Sequence, residues 1–167
     1  MGAPDGHFSI DDPHATLGPG ATLDWFEQSP LRAAAEMNYG PGGVGASLRD
    51  VSVLGRHIHV GLRFDHGLLR RVSLFMCLAD DASGWDGWTL AQELKRKRAH
   101  DELAEALFGR TLLPKVIEIE GQAVWLGTDG THPNHAQFDW GEVLSTYDSK
   151  GGFSELQITY ADHNAPS

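Results

Sequence analysis

The chain has 167 residues, of which 41% are hydrophobic and 22% charged, so its composition is that of a globular protein with one core. No apolar run approaches the roughly 18 residues of a membrane span, and the formal net charge of −10 argues against nucleic acid, whose phosphates require a basic surface. The first residues lack the basic start and apolar stretch of a secretory signal. The single cysteine excludes an internal disulfide. We therefore expect a cytoplasmic protein.

Residues 1–20 are polar and rich in glycine and proline. This composition predicts a flexible N-terminal lead-in rather than a regular element. A short helix is expected next, because Thr22 is a suitable N-cap and Pro30 ends the helix soon after. The glycine-rich stretch of residues 38–45 is interpreted as a loop. We expect one domain over residues 21–167.

Strand character is clearest over residues 47–78, where apolar and polar residues alternate. The apolar residues form one face of the strands, and His57 and His59 point to the other face. Residues 65–67 are interpreted as a three-residue hairpin loop, and a two-residue turn is expected at residues 55–56. The pattern predicts three antiparallel strands in a meander.

A helix is expected between Thr89, a suitable N-cap, and Gly109, a helix terminator. Its leucines do not form one stripe, because those of the first turns fall far around the axis from those of the last turns. We therefore expect a break near residues 99–101, which gives one broken helix or a helix pair. The basic run of residues 95–98 is interpreted as the solvated face of this helix.

The remaining sequence returns to alternation and predicts further strands, with turns near residues 121–122 and 148–152. Trp140 and Gly141 lie at the start of one strand, where the glycine fits a bulge or a close backbone approach and the indole packs on a neighbouring element. Combined, the elements predict an α+β fold in a single domain. Its antiparallel meander sheet carries one broken helix, or helix pair, on one face, and a short N-terminal helix precedes it.

Three segments in roughly the second half of the chain combine into one pattern: "FDHGLLRRVSL", "SGWDGWT" with "KRAHDELAEALFG", and "FDWGEVLSTYDSKGGFSELQITY". As a set they resemble a group of small bacterial proteins, and small acidic α+β proteins of this kind are often immunity proteins that neutralise a toxin. The resemblance implies binding of a toxin and brings no catalytic residues. The segment of residues 110–137 is longer here than in the pattern. The matching positions are Phe64, Gly67, Leu69, Val72, Leu74, Trp85, Trp88, His100, Asp101, Gly109, Trp140, Gly141, Ser145, Tyr147, Asp148, Lys150, Gly151, Gly152 and Tyr160.

The acidic loop that precedes the helix is the candidate partner-binding site. Its two tryptophans lie among carboxylates, and aromatic residues surrounded by charge are typical of interface anchors. The alternative is that both indoles close the end of the sheet core. We expect the partner to be a protein, a toxin domain with a basic cleft. The candidate residues are Asp80, Asp81, Trp85, Asp86 and Trp88.

The histidines of the predicted sheet form the alternative site. His57 and His59 are two residues apart on a strand, so both imidazoles leave the same face and can share a metal ion. His66 is a further ligand, or His132 and His135 in its place. Cys77 is expected to be a buried structural thiol within a strand.

No nucleophile elbow and no phosphate-binding loop is present in the sequence. We therefore expect no catalytic residue, no enzyme activity and no cofactor. The expected function is stoichiometric protein binding by an immunity protein that sterically blocks a bacterial toxin domain. The alternative is a small metal-dependent or ligand-binding enzyme domain that uses the histidine face.

Overall fold

The computed structural model describes residues 5–78, 87–124 and 130–162. Strands dominate the described ranges, and one long helix interrupts them. In chain order the elements are β1 (Phe8–Ile10), β2 (Ala15–Leu17), α1 (Leu23–Gln28), a 3₁₀ turn (Arg32–Ala34), β3 (Ala35–Gly40), β4 (Gly43–Val53), β5 (Arg56–Asp65), β6 (Leu68–Met76), α2 (Leu90–Phe108), β7 (Leu113–Pro114), β8 (Ile117–Ile119), β9 (Gln122–Val124), β10 (Asn134–Phe138), β11 (Gly141–Asp148) and β12 (Phe153–Tyr160).

The largest sheet of the described residues has eight strands in the order β3-β4-β5-β6-β12-β11-β10-β7. Every neighbouring pair in it is antiparallel. Strands β4 to β6 form the predicted three-stranded meander, and β3 extends it by one hairpin. The last strand, β12, returns to the centre of the sheet and pairs with β6. The α+β class with an antiparallel sheet is thus confirmed, and the strand order is more complex than one continuous meander.

The alternation predicted for β5 separates the two faces of the sheet. Residues Ile58, Val60, Leu62 and Phe64 are buried on what we call the inner face. The inner face belongs to a single apolar cluster that includes residues of β1, β2, α1 and α2. The opposite, outer face carries His59 and the other polar residues of β5. Helix α2 packs against β6, β11 and β12.

The expected flexible lead-in contains an ordered hairpin, because β1 and β2 pair with each other from residue 8 to residue 17. Their alternate residues Phe8, Ile10, Ala15 and Leu17 are buried in the common core. Three-residue strands are too short for alternation to stand out in the sequence. The core contacts that hold them come from elements distant along the chain.

The glycine-rich stretch of residues 38–45 is also more regular than expected. It contains the end of β3 and the start of β4, with Gly40 opposite Gly43. The hairpin turns also differ by one residue from those expected. Leu54-Gly55 and His66-Gly67 form two-residue turns in which all four residues have positive φ.

Helix α2 is one continuous helix of 19 residues, so the predicted break is wrong. Its ends are those expected: the Thr89 side chain accepts a hydrogen bond from the Gln92 amide, and Gly109 adopts the left-handed conformation. The buried stripe continues along the whole helix, but its first half is polar, which is why the leucines did not reveal it. The buried residues are Glu93, Arg96, Lys97, His100, Leu103, Ala104, Leu107 and Phe108.

Candidate functional site

Trp88 lies at the junction between the start of α2 and the turn that joins β11 to β12. Its indole Nε1 donates a hydrogen bond to the carbonyl oxygen of Gly152, and its side chain is 39% exposed. The indole is therefore fixed in orientation and also open to solvent. Trp88 is the one predicted partner-binding residue within the described ranges. The other four lie outside the described residues: Asp80, Asp81, Trp85 and Asp86.

Two further exposed apolar residues neighbour Trp88. One is near it in the sequence, and the other is next to the residue that accepts its hydrogen bond. Leu90 begins helix α2, and Phe153 directly follows Gly152, the hydrogen-bond acceptor. We call Trp88, Leu90 and Phe153 the Trp88 patch. The bond from Trp88 to Gly152 places the start of α2 beside the β11–β12 turn, and exposed apolar groups in one region of the surface are typical of interaction sites.

An acidic residue, Asp148, begins the turn beside the Trp88 patch. Its carboxylate accepts a hydrogen bond of 2.9 Å from the backbone N–H of Lys150. Hydrogen bonds from the Gly151 and Lys150 amides hold the pKa of Asp148 below its usual value. The turn therefore presents a carboxylate that stays ionised next to the apolar patch.

The charged residues of α2 take the place of a missing section of the sheet. Strands β6 and β12 pair no further than Leu74 opposite Leu156. Beyond that pair, the amide of Met76 donates to His100 Nε2 at 2.9 Å, and Arg96 Nε donates to the Met76 carbonyl at 2.8 Å. We call Glu93, Arg96 and His100 the buried polar cluster.

Glu93 completes the cluster on the side of β12. Its carboxylate accepts hydrogen bonds from the Ser154 amide at 3.1 Å and from the Ser154 hydroxyl at 3.3 Å, and it forms an ion pair with Arg96. Because a buried, unpaired backbone group costs about 1–3 kcal/mol, these bonds explain why charges are buried here. Arg96 and Lys97 are only 4% and 2% exposed, so the expected solvated basic face is wrong for these two residues.

His100 is neutral in this cluster. Burial, together with the charges of Arg96 and Lys97, lowers the pKa of His100 from 6.5 to about 3. A neutral ring can accept the Met76 amide through Nε2, which the protonated ring cannot do. The cluster thus has a structural role in closing the gap between β6 and β12.

Trp140 is part of the scaffold, as the sequence analysis predicted. Its indole is buried against the rings of Phe108, Phe138 and Tyr160. Gly141, at φ +153°, makes the expected close backbone approach, because a Cβ atom there would lie 1.9 Å from the carbonyl oxygen of Thr159.

The structure does not bring the three histidines of the alternative site together. His57 and His59 lie on β5, but His66 lies in the turn at the opposite end of that strand. His66 follows His59 by seven positions along the extended chain, which corresponds to about 23 Å. Residue type alone suggested that His66 lies near His57 and His59, whereas the length of β5 keeps it apart.

His59 instead lies beside Asp50 and Cys77. One potential ligand atom from each of these three residues lies within 4.8 Å of the other two. Cys77 follows β6 and is partly exposed, not buried within a strand as expected. Extending the β5–β6 ladder by one residue places Cys77 opposite His57. The register of these two strands would therefore have predicted that Cys77 lies close to the histidines. No sequence signal indicates Asp50.

The middle of the outer face carries basic groups. Arg63 and Arg71 lie directly opposite each other on β5 and β6, beside a shallow polar depression of about 400 Å³. Asp65 pairs with Arg63 at 3.0 Å, and Glu155 lines the same depression. Asp65 and Glu155 thus balance the charges of the two arginines, so this surface offers no net negative charge to a basic partner.

Comparison with models of protein families found no family that matches the chain. Comparisons with curated proteins and with solved structures found no match either. In the described ranges, no helix has both the length and the apolar character that a membrane crossing needs.

Proposed function

We propose that this chain is a stoichiometric protein-binding module, an immunity protein that sterically blocks a bacterial toxin domain in the cytoplasm. The observation that carries the proposal is the Trp88 patch, in which an exposed indole is held by the Gly152 carbonyl. A side chain that is already ordered loses little conformational entropy on binding. Tryptophan is also among the residues most enriched at the energetic centres of interfaces.

Charge supports a basic partner for this patch. The chain has a net charge of −10, and Asp148 lies at the turn beside Trp88. Opposite charge on a toxin cleft would accelerate association and orient the two proteins. The centre of the outer face fits such a partner less well, because the charges of Arg63 and Arg71 are balanced there by Asp65 and Glu155.

The mechanism is occlusion without chemistry. The indole of Trp88 enters a cavity at the mouth of the toxin cleft, and the Asp148 carboxylate pairs with a basic group that lines it. The toxin's substrate is then excluded for as long as the complex lasts. Dissociation, not turnover, sets the duration of the inhibition.

The test begins with co-purification of this protein with the products of the adjacent genes, at low and at high salt. We expect one of them to bind, to lose its toxic activity at a 1:1 ratio, and to bind more weakly at high salt. A folded protein that binds none of these products would contradict the proposal.

Two tryptophan variants then locate the binding surface. Trp88→Ala should weaken the complex by about 30-fold or more, as expected for an interface anchor worth at least 2 kcal/mol. Trp25→Ala is the matched control, because Trp25 is 38% exposed and lies on α1. The Leu23 amide of α1 donates to the Gly67 carbonyl in the turn before β6, so α1 lies at the opposite end of that strand. Equal weakening by both variants would refute the assignment to the Trp88 patch.

A further inference from the structure

We infer that Asp50, His59 and Cys77 form a binding site for a zinc-class divalent metal ion on the outer face, near the end of β6. The site is independent of the Trp88 patch, because it uses β4, β5 and the residue that follows β6. Each residue offers one ligand atom of a different kind: a carboxylate oxygen, an imidazole nitrogen and a sulfur.

A β-bulge explains how Asp50 reaches the other two residues. The register between β4 and β5 shifts between Leu48 and Val51, so Asp50 is not in the regular ladder. Its φ of 54° is in the left-handed region, which is uncommon for a residue other than glycine. Its amide donates to His59 Nδ1 at 3.3 Å, which fixes the aspartate beside the imidazole.

The other two ligands are positioned by the regular sheet. The ring of His59 stacks on Phe75, its direct neighbour on β6, with the ring centroids 6.2 Å apart and an interplanar angle of 8°. The amide of Cys77 donates to the His57 carbonyl at 3.0 Å, which continues the ladder beyond the end of β6. His59 and Cys77 therefore lie diagonally across two neighbouring strands.

The distances suit a metal ion after small side-chain rotations. Tetrahedral zinc, with bonds of about 2.0–2.3 Å, needs its ligand atoms about 3.5 Å apart. The ligand atoms of Asp50, His59 and Cys77 already lie within 4.8 Å of one another. Rotation about χ1 of the partly exposed Cys77, and about χ1 and χ2 of the exposed Asp50, can supply the remaining approach.

The ligand set determines the class of metal. Thiolate and imidazole ligands together favour zinc and similar ions over magnesium and calcium, which prefer oxygen ligands alone. When the ion binds, the Cys77 thiol gives its proton to water as the sulfur–metal bond forms. Three protein ligands leave a fourth position for water or for a donor from another molecule.

Cobalt titration is the direct test, because a thiolate–cobalt bond produces a charge-transfer band in the near ultraviolet. The sequence has a single cysteine, so the band reports on Cys77 alone. We expect the band to saturate at one Co²⁺ per chain and zinc to displace it. Asp50→Asn and His59→Gln should each weaken binding by roughly tenfold or more. His66→Gln is the matched control and should change nothing.

Protection from alkylation gives a second measurement that does not depend on cobalt. Zinc should slow the reaction of Cys77 with iodoacetamide in the wild type and in His66→Gln, but not in His59→Gln. Circular dichroism and the unfolding midpoint confirm that each variant is folded. Absence of the band in the folded wild type, or equal binding in His59→Gln and the wild type, overturns the inference.

Discussion

Replacing Arg96 by methionine should destabilise the protein strongly. The change leaves the Glu93 carboxylate buried without its ion pair and the Met76 carbonyl without its donor. It also removes a guanidinium that lies 4.4 Å from the centre of the Phe75 ring. Loss of one partner of a buried ion pair costs about 3–5 kcal/mol, and an unpaired buried carbonyl about 1–3 kcal/mol. Because these costs overlap, we expect a total of about 3–5 kcal/mol.

A double-mutant cycle separates the unpaired charge from the lost packing. Glu93→Gln removes the negative charge but keeps an oxygen that can accept from the Ser154 amide. In the Arg96→Met background, this second change should restore about 1–2 kcal/mol, because no unpaired charge then remains buried. Arg98→Met is the control, since Arg98 is exposed on the same helix and should change stability by about 0.5 kcal/mol or less.

Urea unfolding followed by circular dichroism measures these free energies, with the m-value as a check that the unfolding remains two-state. Two results would refute the reasoning. One is an Arg96→Met variant that loses less than about 1 kcal/mol. The other is a double variant that is less stable than Arg96→Met alone, because Glu93 would then not depend on its partner.

Two further predictions concern the scaffold. Gly141→Ala should lower the free energy of unfolding by more than about 3 kcal/mol, since its Cβ would lie 1.9 Å from the Thr159 carbonyl oxygen. Gly55→Ala is the control, because the space around Gly55 is open, and it should lower that free energy by only about 1–2 kcal/mol. Urea unfolding measures both values. His100 has its pKa lowered from 6.5 to about 3, so the unfolded chain binds a proton that the folded chain does not. The contribution of His100 to the free energy of unfolding is therefore full above pH 6.5 and declines as the pH falls toward 3. The decline is at most about 1.4 kcal/mol per pH unit. His100→Gln should unfold with a shallower pH dependence in that window, and an unchanged slope would show that His100 does not titrate as the structure implies.

Local patterns in the sequence were sufficient for the central strands and the helix ends. The strand β5 follows from the alternation of its residues, since side chains in a strand point to opposite faces in turn. Thr89 and Gly109 mark the ends of α2 because capping depends on residues next to each other in the chain. Gly141 was interpreted correctly because a strand glycine often marks a close backbone approach.

The candidate site depended much less on local pattern. Trp88 was identified from its acidic surroundings, but its hydrogen bond to Gly152 joins residues far apart in sequence. Of the predicted metal ligands His57, His59 and His66, only His59 lies in the cluster with Asp50 and Cys77. That cluster requires a bulge in one strand and the register of two others, none of which a single segment encodes.

The sequence by itself determined the α+β class, the alternation of the central strands and the caps of the long helix, because these features arise between residues that are close in the chain. Only the tertiary structure decided that β12 lies in the centre of the sheet and that Glu93, Arg96 and His100 are buried. Their burial is favourable only because β6 and β12 leave backbone groups unpaired beyond Leu74 and Leu156, and no helical periodicity can indicate hydrogen-bond partners on distant strands.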